Sequence, residues 1–590
     1  TLHNTLFPYT TLFRSPMKQS SPAEKMSEAE LVCINTIRAL SMDAIEKAAS
    51  GHPGAPLGMA PAAYTIWQNF MKHNPGNPMW PDRDRFVLSA GHASMMLYAV
   101  LYLTGYEVTL EDLKQFRQWK SLTPGHPEAR RTPGVETTTG PLGQGIANAV
   151  GLALAERHMA AKFNKPGHEI VDHYTYVMCG DGDLMEGISQ EAASLAGHLG
   201  LGKLICLYDD NRISIEGDTA ITFTEDVGRR FEACGWQVFT VEDGNDVDQI
   251  RRAVETARAD TQKPSMIILR TFIAYGSPNK QGSADAHGAP LGEDEVRLTK
   301  QFLGCPADEL FCVPEAALDH MRQALESGKE AEAQWQKRFD AYKADFPDLA
   351  KKFMDRMENR LPENWDTDIP VFTPEDGSVA TRKASGSVLN AIAGRMPELI
   401  GGSADLAPSN KTLILNDHDF QKEAYDGRNI RFGVREHVMG AIINGMWLHG
   451  GLRPYGGTFL VFSDYMRPAI RLSALMNVPA IYVVTHDSLA VRGGSPTHQP
   501  VERLAALRAI PNLQVIRPAD ANETAEAWRL AIASQDHPTA LVLSRQGLPV
   551  IDRSRYAPAD QTANGAYVIS ESKGKPDLIL IATGSRPKVV

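Results

Sequence analysis

Cysteine is scarce and unpaired in this sequence. Six occur in 590 residues, at 33, 179, 206, 234, 305 and 312, and no two form a Cys-x-x-Cys pair. That spacing excludes a disulfide framework and a zinc-ribbon site. Buried, reduced thiols are expected instead, which fits a cytoplasmic protein. Long apolar runs are also missing: nothing approaches the roughly 18–20 apolar residues that a bilayer-crossing helix requires. Excess positive charge is absent too. The 60 Lys and Arg are outnumbered by 71 Asp and Glu, a net charge of −11, so neither nucleic acid nor an anionic membrane surface is expected as a partner. Residues 1–16 lack the basic start and clean apolar stretch of a signal peptide. What remains, 43% hydrophobic and 22% charged residues, is ordinary for a globular enzyme. The length implies roughly three to four domains.

The chemistry begins at Gly180-Asp181-Gly182 and Tyr208-Asp209-Asp210-Asn211, with Asn211 thirty residues after Asp181. Apolar stretches at 173–178 and 203–208 read as buried strands ending at these two points, with an Ala/Leu-rich helix over 191–199 between them. Ligands of open α/β sheets gather at the carboxyl ends of strands. An Asp and an Asn brought together there offer hard oxygen ligands to one divalent cation, which keeps positions open for phosphate oxygens. Gly180 and Gly182 let backbone come close to a diphosphate. The competing reading is an Asp and an Asn in ordinary turns; apolar strands ending at both points weigh against it.

The fold class is α/β. Apolar strands alternate with Ala-rich helices over 27–320, the pattern of a parallel sheet, and a helix over 145–161 starts in a glycine-rich turn. Over 321–375 strand signals vanish and Ala, Glu, Lys, Gln and Arg dominate, which predicts a helical linker with a solvated charged face. A second parallel-sheet unit occupies 376–560, with strands expected at 480–485, 513–516 and 539–543. The stretches 566–570 and 578–584 read as the start of a third α/β unit over 561–590.

Many segments resemble the transketolase family, collinearly from about 27 to 583. They include Ser50-Gly-His-Pro-Gly-Ala-Pro56, Ser89-Ala-Gly-His-Ala-Ser-Met95, Thr123-Pro-Gly-His-Pro-Glu128 and Glu136-Thr-Thr-Thr-Gly-Pro-Leu-Gly-Gln-Gly145. Ala286-His-Gly-Ala-Pro290, Gly401-Gly-Ser-Ala-Asp-Leu406, Gly433-Val-Arg-Glu-His437 and Pro496-Thr-His-Gln-Pro500 follow in order. Residues 1–26 match nothing in that family. The resemblance implies a thiamine diphosphate enzyme using Mg2+ (or Ca2+ or Mn2+), with 27–320 holding diphosphate and metal and 376–560 holding the aminopyrimidine. It implies a homodimer with active sites at the subunit interface, and a C-terminally truncated chain in which a third domain only begins.

By the same resemblance Asp181, Asn211 and the Ile213 carbonyl hold the metal. His92, Gly140, Pro141, Leu142, Gly182, Asn211 and His287 contact the cofactor. Glu436 meets the aminopyrimidine N1′ and starts the proton relay that deprotonates the thiazolium carbon. Phe459, Phe462 and Tyr465 line the pyrimidine pocket; their spacing of three puts them on one helix face, where a plain core stripe is the alternative. His52, His126 and His287 contact substrate hydroxyls or move protons and His498 hydrogen-bonds the donor near its carbonyl, with His52, His287, His498 and Glu436 as the catalytic set, although a single loop histidine is more often structural. Arg382, Ser409, His486 and Arg545 resemble a phosphate clamp, for which planar, bidentate guanidinium groups suit a phosphate monoester; four surface polar groups is the alternative. Glu186 and Glu191 resemble buried acids linking paired active sites across the dimer; charges on a helix surface are the alternative.

One departure stands out. Arg492-Gly493-Gly494-Ser495 precedes Pro496, where the family usually has Gly-Glu-Asp-Gly. Gly494 thus replaces an aspartate that contacts the substrate C2 hydroxyl, and a looser grip on that hydroxyl is expected. The function implied is transfer of a two-carbon ketol unit from a ketose phosphate to an aldose phosphate. A ketol transferase like dihydroxyacetone synthase and a truncated, non-catalytic binding subunit are the alternatives.

Overall fold

The computed structural model describes residues 26–489 and 495–584; the 1–16 segment and Arg492 to Gly494 lie outside them. Two parallel sheets organise the chain. The first contains β1 Arg85–Leu88, β2 Thr175–Gly180, β3 Leu204–Asp210, β4 Gln237–Val241 and β5 Ser265–Arg270, in the order β1-β2-β3-β5-β4. Strands β2 and β3 are buried along nearly their whole length, so they read as continuous apolar runs and not as alternating ones. The second sheet contains β6 Leu399–Ser403, β7 Asn429–Arg431, β8 Arg453–Phe459, β9 Ile481–Thr485, β10 Gln514–Ile516 and β11 Thr539–Leu543, in the order β7-β6-β8-β9-β11-β10. Every pairing in both sheets is parallel.

Three helices join these sheets around the site: α1 Gln144–Phe163, α2 Gly187–Leu199 and α3 Glu436–His449. Helices α1 and α3 cross at glycines. A β-carbon on Gly445 would lie 2.0 Å from the Asn148 carbonyl oxygen, and one on Gly151 would lie 2.3 Å from that of Ile442. Only glycine permits this approach. One apolar cluster consequently runs from Val177 and Leu204 through Ile442 and Met446 to Tyr482 and Val484. At the far end of the crossing His173 meets His449 at 2.9 Å and Asp82 at 3.1 Å.

Between the sheets lie helices Glu315–Met321, Gln323–Asp345 and Pro347–Met357. The long one is anchored on the first half by Trp335, whose indole N–H donates to the Ile170 carbonyl at 2.9 Å. Two expectations fail. Residues 566–570 and 578–584 form no strand, because no neighbouring strand among the described residues offers a ladder, and an unpaired strand is not stable; Ile581 is 94% exposed. The thiols divide: Cys33, Cys179 and Cys206 are buried, while Cys234, Cys305 and Cys312 are only partly so, and all six are free. Among the described residues no helix is long and apolar enough to cross a membrane.

Candidate active site

Strands β2 and β3 end side by side, with Gly180 opposite Asp209. That register carries Asp181, the first residue of a short helix (Asp181–Met185), next to the Asp209–Asn211 turn. Asp181 is buried. Its Oδ1 accepts from the Tyr208 hydroxyl at 2.5 Å, and its Oδ2 is buried with no partner. Burial, with Asp210 adding like charge, lifts this carboxyl to about 6; burial and the neighbouring Asp181 lift Asp209 to about 7. Asn211 donates to Asp209 at 2.8 Å, and its Oδ1 accepts the Ile213 N–H at 2.9 Å, which leaves that oxygen a second lone pair. A partnerless carboxylate oxygen among three acids is a position that a cation neutralises. Among the described residues no three His, Cys, Asp or Glu side chains gather as a metal site, so a cation here relies on mixed oxygen donors, the kind that Mg2+ and Ca2+ accept. The two glycines differ in role. A β-carbon on Gly180 would meet nothing within 4 Å, whereas one on Gly182 would strike Leu142 at 2.9 Å. Gly180 faces open space beside Asp181, and Gly182 admits the 140–143 loop.

Asp183 escaped the sequence reading. It is fully buried, and it accepts from Ser89 Oγ at 2.7 Å, Gly143 N–H at 2.8 Å and Gly180 N–H at 3.0 Å. One carboxylate thereby ties together the segment after β1, the glycine-rich loop and the end of β2. Its only sequence signal is adjacency to the Gly-Asp-Gly.

Four histidines from four loops converge nearby. His52 lies 5.1 Å from His92, 5.9 Å from His287 and 6.4 Å from His126, ring centre to ring centre, and His92 lies 5.3 Å from His287. Gly140, at φ 135°, closes the loop onto His126: a β-carbon there would lie 3.3 Å from the ring. Pro141, next in the loop, is exposed. Burial first, then the neighbouring His287, lowers His52 to about 4 and His92 to about 3; burial also lowers His126 and His287. These imidazoles are neutral near pH 7 and able to accept protons. The Nδ1 atoms of His52 and His287 are buried and without partners. Free imidazole nitrogens beside an unpartnered carboxylate oxygen and an open glycine fit a metal-bound diphosphate and a polyhydroxyl ligand.

The second sheet carries the remaining residues. Glu436 opens α3, is buried, and accepts from the Thr458 hydroxyl at 3.2 Å; Thr458 gave no sequence signal beyond its place before Phe459. The first turn of α3 is stitched to the first half of the molecule. Glu191 on α2 accepts the Val438 N–H at 2.9 Å, and Gln144 on α1 meets His437 at 2.7 Å. Burial, with Glu436 adding like charge, raises Glu191. Glu186, expected to be buried, is exposed in this chain.

Phe459, Phe462 and Tyr465 do not share a helix face. Phe459 ends β8 in register with Thr485 of β9, Phe462 sits in a 3-10 turn, and Tyr465 lies in the first turn of helix Ser463–Leu475. The sheet register holds Phe459 extended, so the chain must turn before a helix can start. Their rings still form a series, with Phe459 stacked on Phe462 at 5.8 Å and Phe462 at 6.1 Å from Tyr465. His486 packs on Phe459 at 3.9 Å and His498 on Phe462 at 5.4 Å.

Ser409, His486 and Arg545 follow β6, β9 and β11 at their carboxyl ends, and Arg382 opens helix Thr381–Arg395. The Arg382 Nη1 donates to Ser409 at its carbonyl (2.6 Å) and its hydroxyl (3.2 Å), while Nε is buried and unpartnered. Burial first, then Arg382, Arg545 and His498, lowers His486 to about 4. Arg545 also acts on Arg382 as a like charge. Two guanidinium groups that act on each other in this way offer N–H donors suited to an anion. The Gly494 expectation falls outside the described residues.

Residues 29–362 match the family described as transketolase, thiamine diphosphate binding domain, and 377–550 match transketolase, pyrimidine binding domain. The chain is 58% identical to the transketolase of Geobacillus stearothermophilus over 559 residues, covering 94% of this chain and 83% of that one. It is 54% identical to transketolase-1, chloroplastic, of Arabidopsis thaliana, covering 94% and 75%. The structure superposes with a TM-score of 0.93 at 48% identity on Pichia stipitis transketolase in complex with sedoheptulose 7-phosphate, covering 95% of this chain and 83% of that one.

Proposed function

We propose a division of labour among these residues on one premise: the chain belongs to the transketolase family. It moves a two-carbon ketol unit from a ketose phosphate to an aldose phosphate, with thiamine diphosphate as cofactor. When bound, that cofactor supplies the acidic thiazolium carbon on which the unit is carried.

Asp181, Asn211 and the Ile213 carbonyl hold a divalent cation, Mg2+ or else Ca2+ or Mn2+. His92, His287, Gly140, Pro141, Leu142 and Gly182 shape the diphosphate and thiazolium end. Glu436 meets the aminopyrimidine with its carboxyl and starts the proton relay, in a pocket walled by Phe459, Phe462 and Tyr465. The neutral imidazoles of His52, His126 and His287 orient substrate hydroxyls and take or return their protons, with His498 near the donor carbonyl. Arg382, Ser409, His486 and Arg545 bind the terminal phosphate. The observation that carries this reading is that Ser409, His486 and Arg545 after strand ends of one sheet meet Arg382 at the start of helix Thr381–Arg395, in the half of the chain that also carries the buried Glu436.

The two residue sets lie on different sheets, and a homodimer brings the set of one copy to the other set of its partner. In support, Tyr465 is 65% exposed and Val434, two residues before Glu436, is 76% exposed, which is costly for apolar side chains beside a site unless something covers them. The six free thiols suit the cytoplasm. The test supplies a ketopentose phosphate and an aldopentose phosphate with thiamine diphosphate and Mg2+. Products lengthened and shortened by two carbons are expected. Products of three-carbon transfer, or turnover only with formaldehyde as acceptor, would overturn the reading.

A further inference from the structure

Arg117 is a cation beside the histidine cluster with no carboxylate in ion-pair contact among the described residues. Its backbone lies at φ 62°, a region that a non-glycine residue enters only when its surroundings compel it. Here its N–H donates to the Thr123 carbonyl at 3.0 Å, folding Thr123-Pro124-Gly125-His126 back over the side chain. A β-carbon on Gly125 would stand 3.1 Å from the guanidinium carbon, so Gly125 makes the room. Nη1 donates to Ser50 Oγ at 3.1 Å, two residues before His52. Nε is buried and unpartnered, and the Phe116 ring lies 5.5 Å away. The guanidinium is thus fixed between the two segments that present His52 and His126.

We propose that Arg117 is a positioning residue for catalysis: its guanidinium, clamped between Ser50 and Gly125, fixes the two segments that present His52 and His126 to substrate hydroxyls and disfavours a second positive charge between them. A fixed positive charge disfavours a second one nearby. Burial acts first on both histidines. After it, Arg117 is the charged neighbour acting on His126, and it joins His287 and His126 in acting on His52. The other groups around them do not cancel it. His92 and His287 face His52 as imidazoles, the Tyr98 hydroxyl is spent on the Pro124 carbonyl at 2.9 Å, and Glu128 faces Arg131 at 4.0 Å.

The inference rests on the assignment of His52 and His126 to the substrate. The experiment measures kcat/KM against pH for Arg117→Gln and Arg117→Lys in the full chain with cofactor and Mg2+. Arg117→Gln should move the acid limb upward by on the order of half a unit to one unit, and Arg117→Lys should leave it in place. A uniform fall at every pH with an unmoved limb, or an equal shift in the lysine variant, would overturn the proposal. If Arg117→Gln does not fold, the titration of His126 is compared between wild type and Arg117→Met, read by NMR of labelled imidazole and assigned with His126→Gln. A midpoint higher in Arg117→Met than in wild type supports the proposal, and an equal or lower one overturns it. Full activity in His126→Ala would remove the premise itself; lost activity there with an unmoved Arg117→Gln limb would overturn the proposal alone.

Discussion

Replacing Arg382 by alanine should cost the enzyme its preference for phosphorylated substrates. In the free protein Nη1 is held by both oxygens of Ser409, at 2.6 and 3.2 Å, which aims the rest of the fork and leaves Nε unspent. A phosphate that takes up this fork gains a charge-assisted pair worth about 1.5–3 kcal/mol, or roughly one to two decades in binding. The Ser409 contacts are lost with every substrate alike, so they cancel in a ratio. The assay compares KM for a 2-ketose phosphate with KM for the same sugar unphosphorylated, in wild type, Arg382→Ala and Arg382→Lys. The alanine variant should lose roughly 10- to 100-fold of the phosphate preference. Lysine should recover part of it, because it keeps the charge without the planar fork. An equal loss for both sugars in Arg382→Ala would mean that the arginine supports the Ser409 loop and does not hold phosphate.

Mixing His92→Ala with Glu436→Gln, each inactive alone, should restore turnover through mixed dimers that contain one intact site, if the two residue sets come from different copies; activity that stays absent after subunit exchange, checked by sedimentation, argues for a site within one chain. Gly445→Ala should lower stability by about 2–3 kcal/mol, read as a drop in Tm, because its methyl would sit 2.0 Å from a helix carbonyl that cannot swing aside; an unchanged Tm would deny the tight α1–α3 crossing. His158, fully buried and lowered to about 3 by burial, stays neutral when folded while the unfolded chain takes up a proton near pH 6.5. The unfolded state then binds more protons below pH 6.5, so stability is full above that pH and falls as pH drops from it toward 3. His158→Gln should therefore shrink the stability difference between pH 7 and pH 5 by about 2 kcal/mol, measured by urea unfolding; an unchanged difference would show that this histidine titrates normally.

What was legible in the sequence was local. Asp181 and Asn211 sit at the ends of apolar runs, and strand pairing at Gly180–Asp209 follows from those runs. The phosphate residues were not legible as a group from spacing, since Arg382 and Arg545 are far apart in the sequence and are brought together by the Arg382 N–H donating to the Ser544 carbonyl at 3.3 Å, after β11. They were reached by resemblance. Asp183, Thr458 and Arg117 were missed because their importance lies in contacts to Ser89, Glu436 and Ser50, which no local pattern announces. Phe459, Phe462 and Tyr465 were misassigned for a definite reason. A period of three suits a helix, but the register of Phe459 with Thr485 overrides it. At 578–584 apolar content resembled a strand, yet a strand exists only beside another.

The central claim is that Glu436 serves the cofactor's proton chemistry and not its binding. Glu436→Gln keeps the side chain's size at the start of α3 and its neighbour Thr458. The direct measurement is hydrogen–deuterium exchange at C2 of bound thiamine diphosphate, alongside cofactor affinity by calorimetry. Affinity within a few-fold of wild type, with exchange slowed by orders of magnitude, is the predicted result. Exchange at the wild-type rate in the glutamine variant would contradict the account.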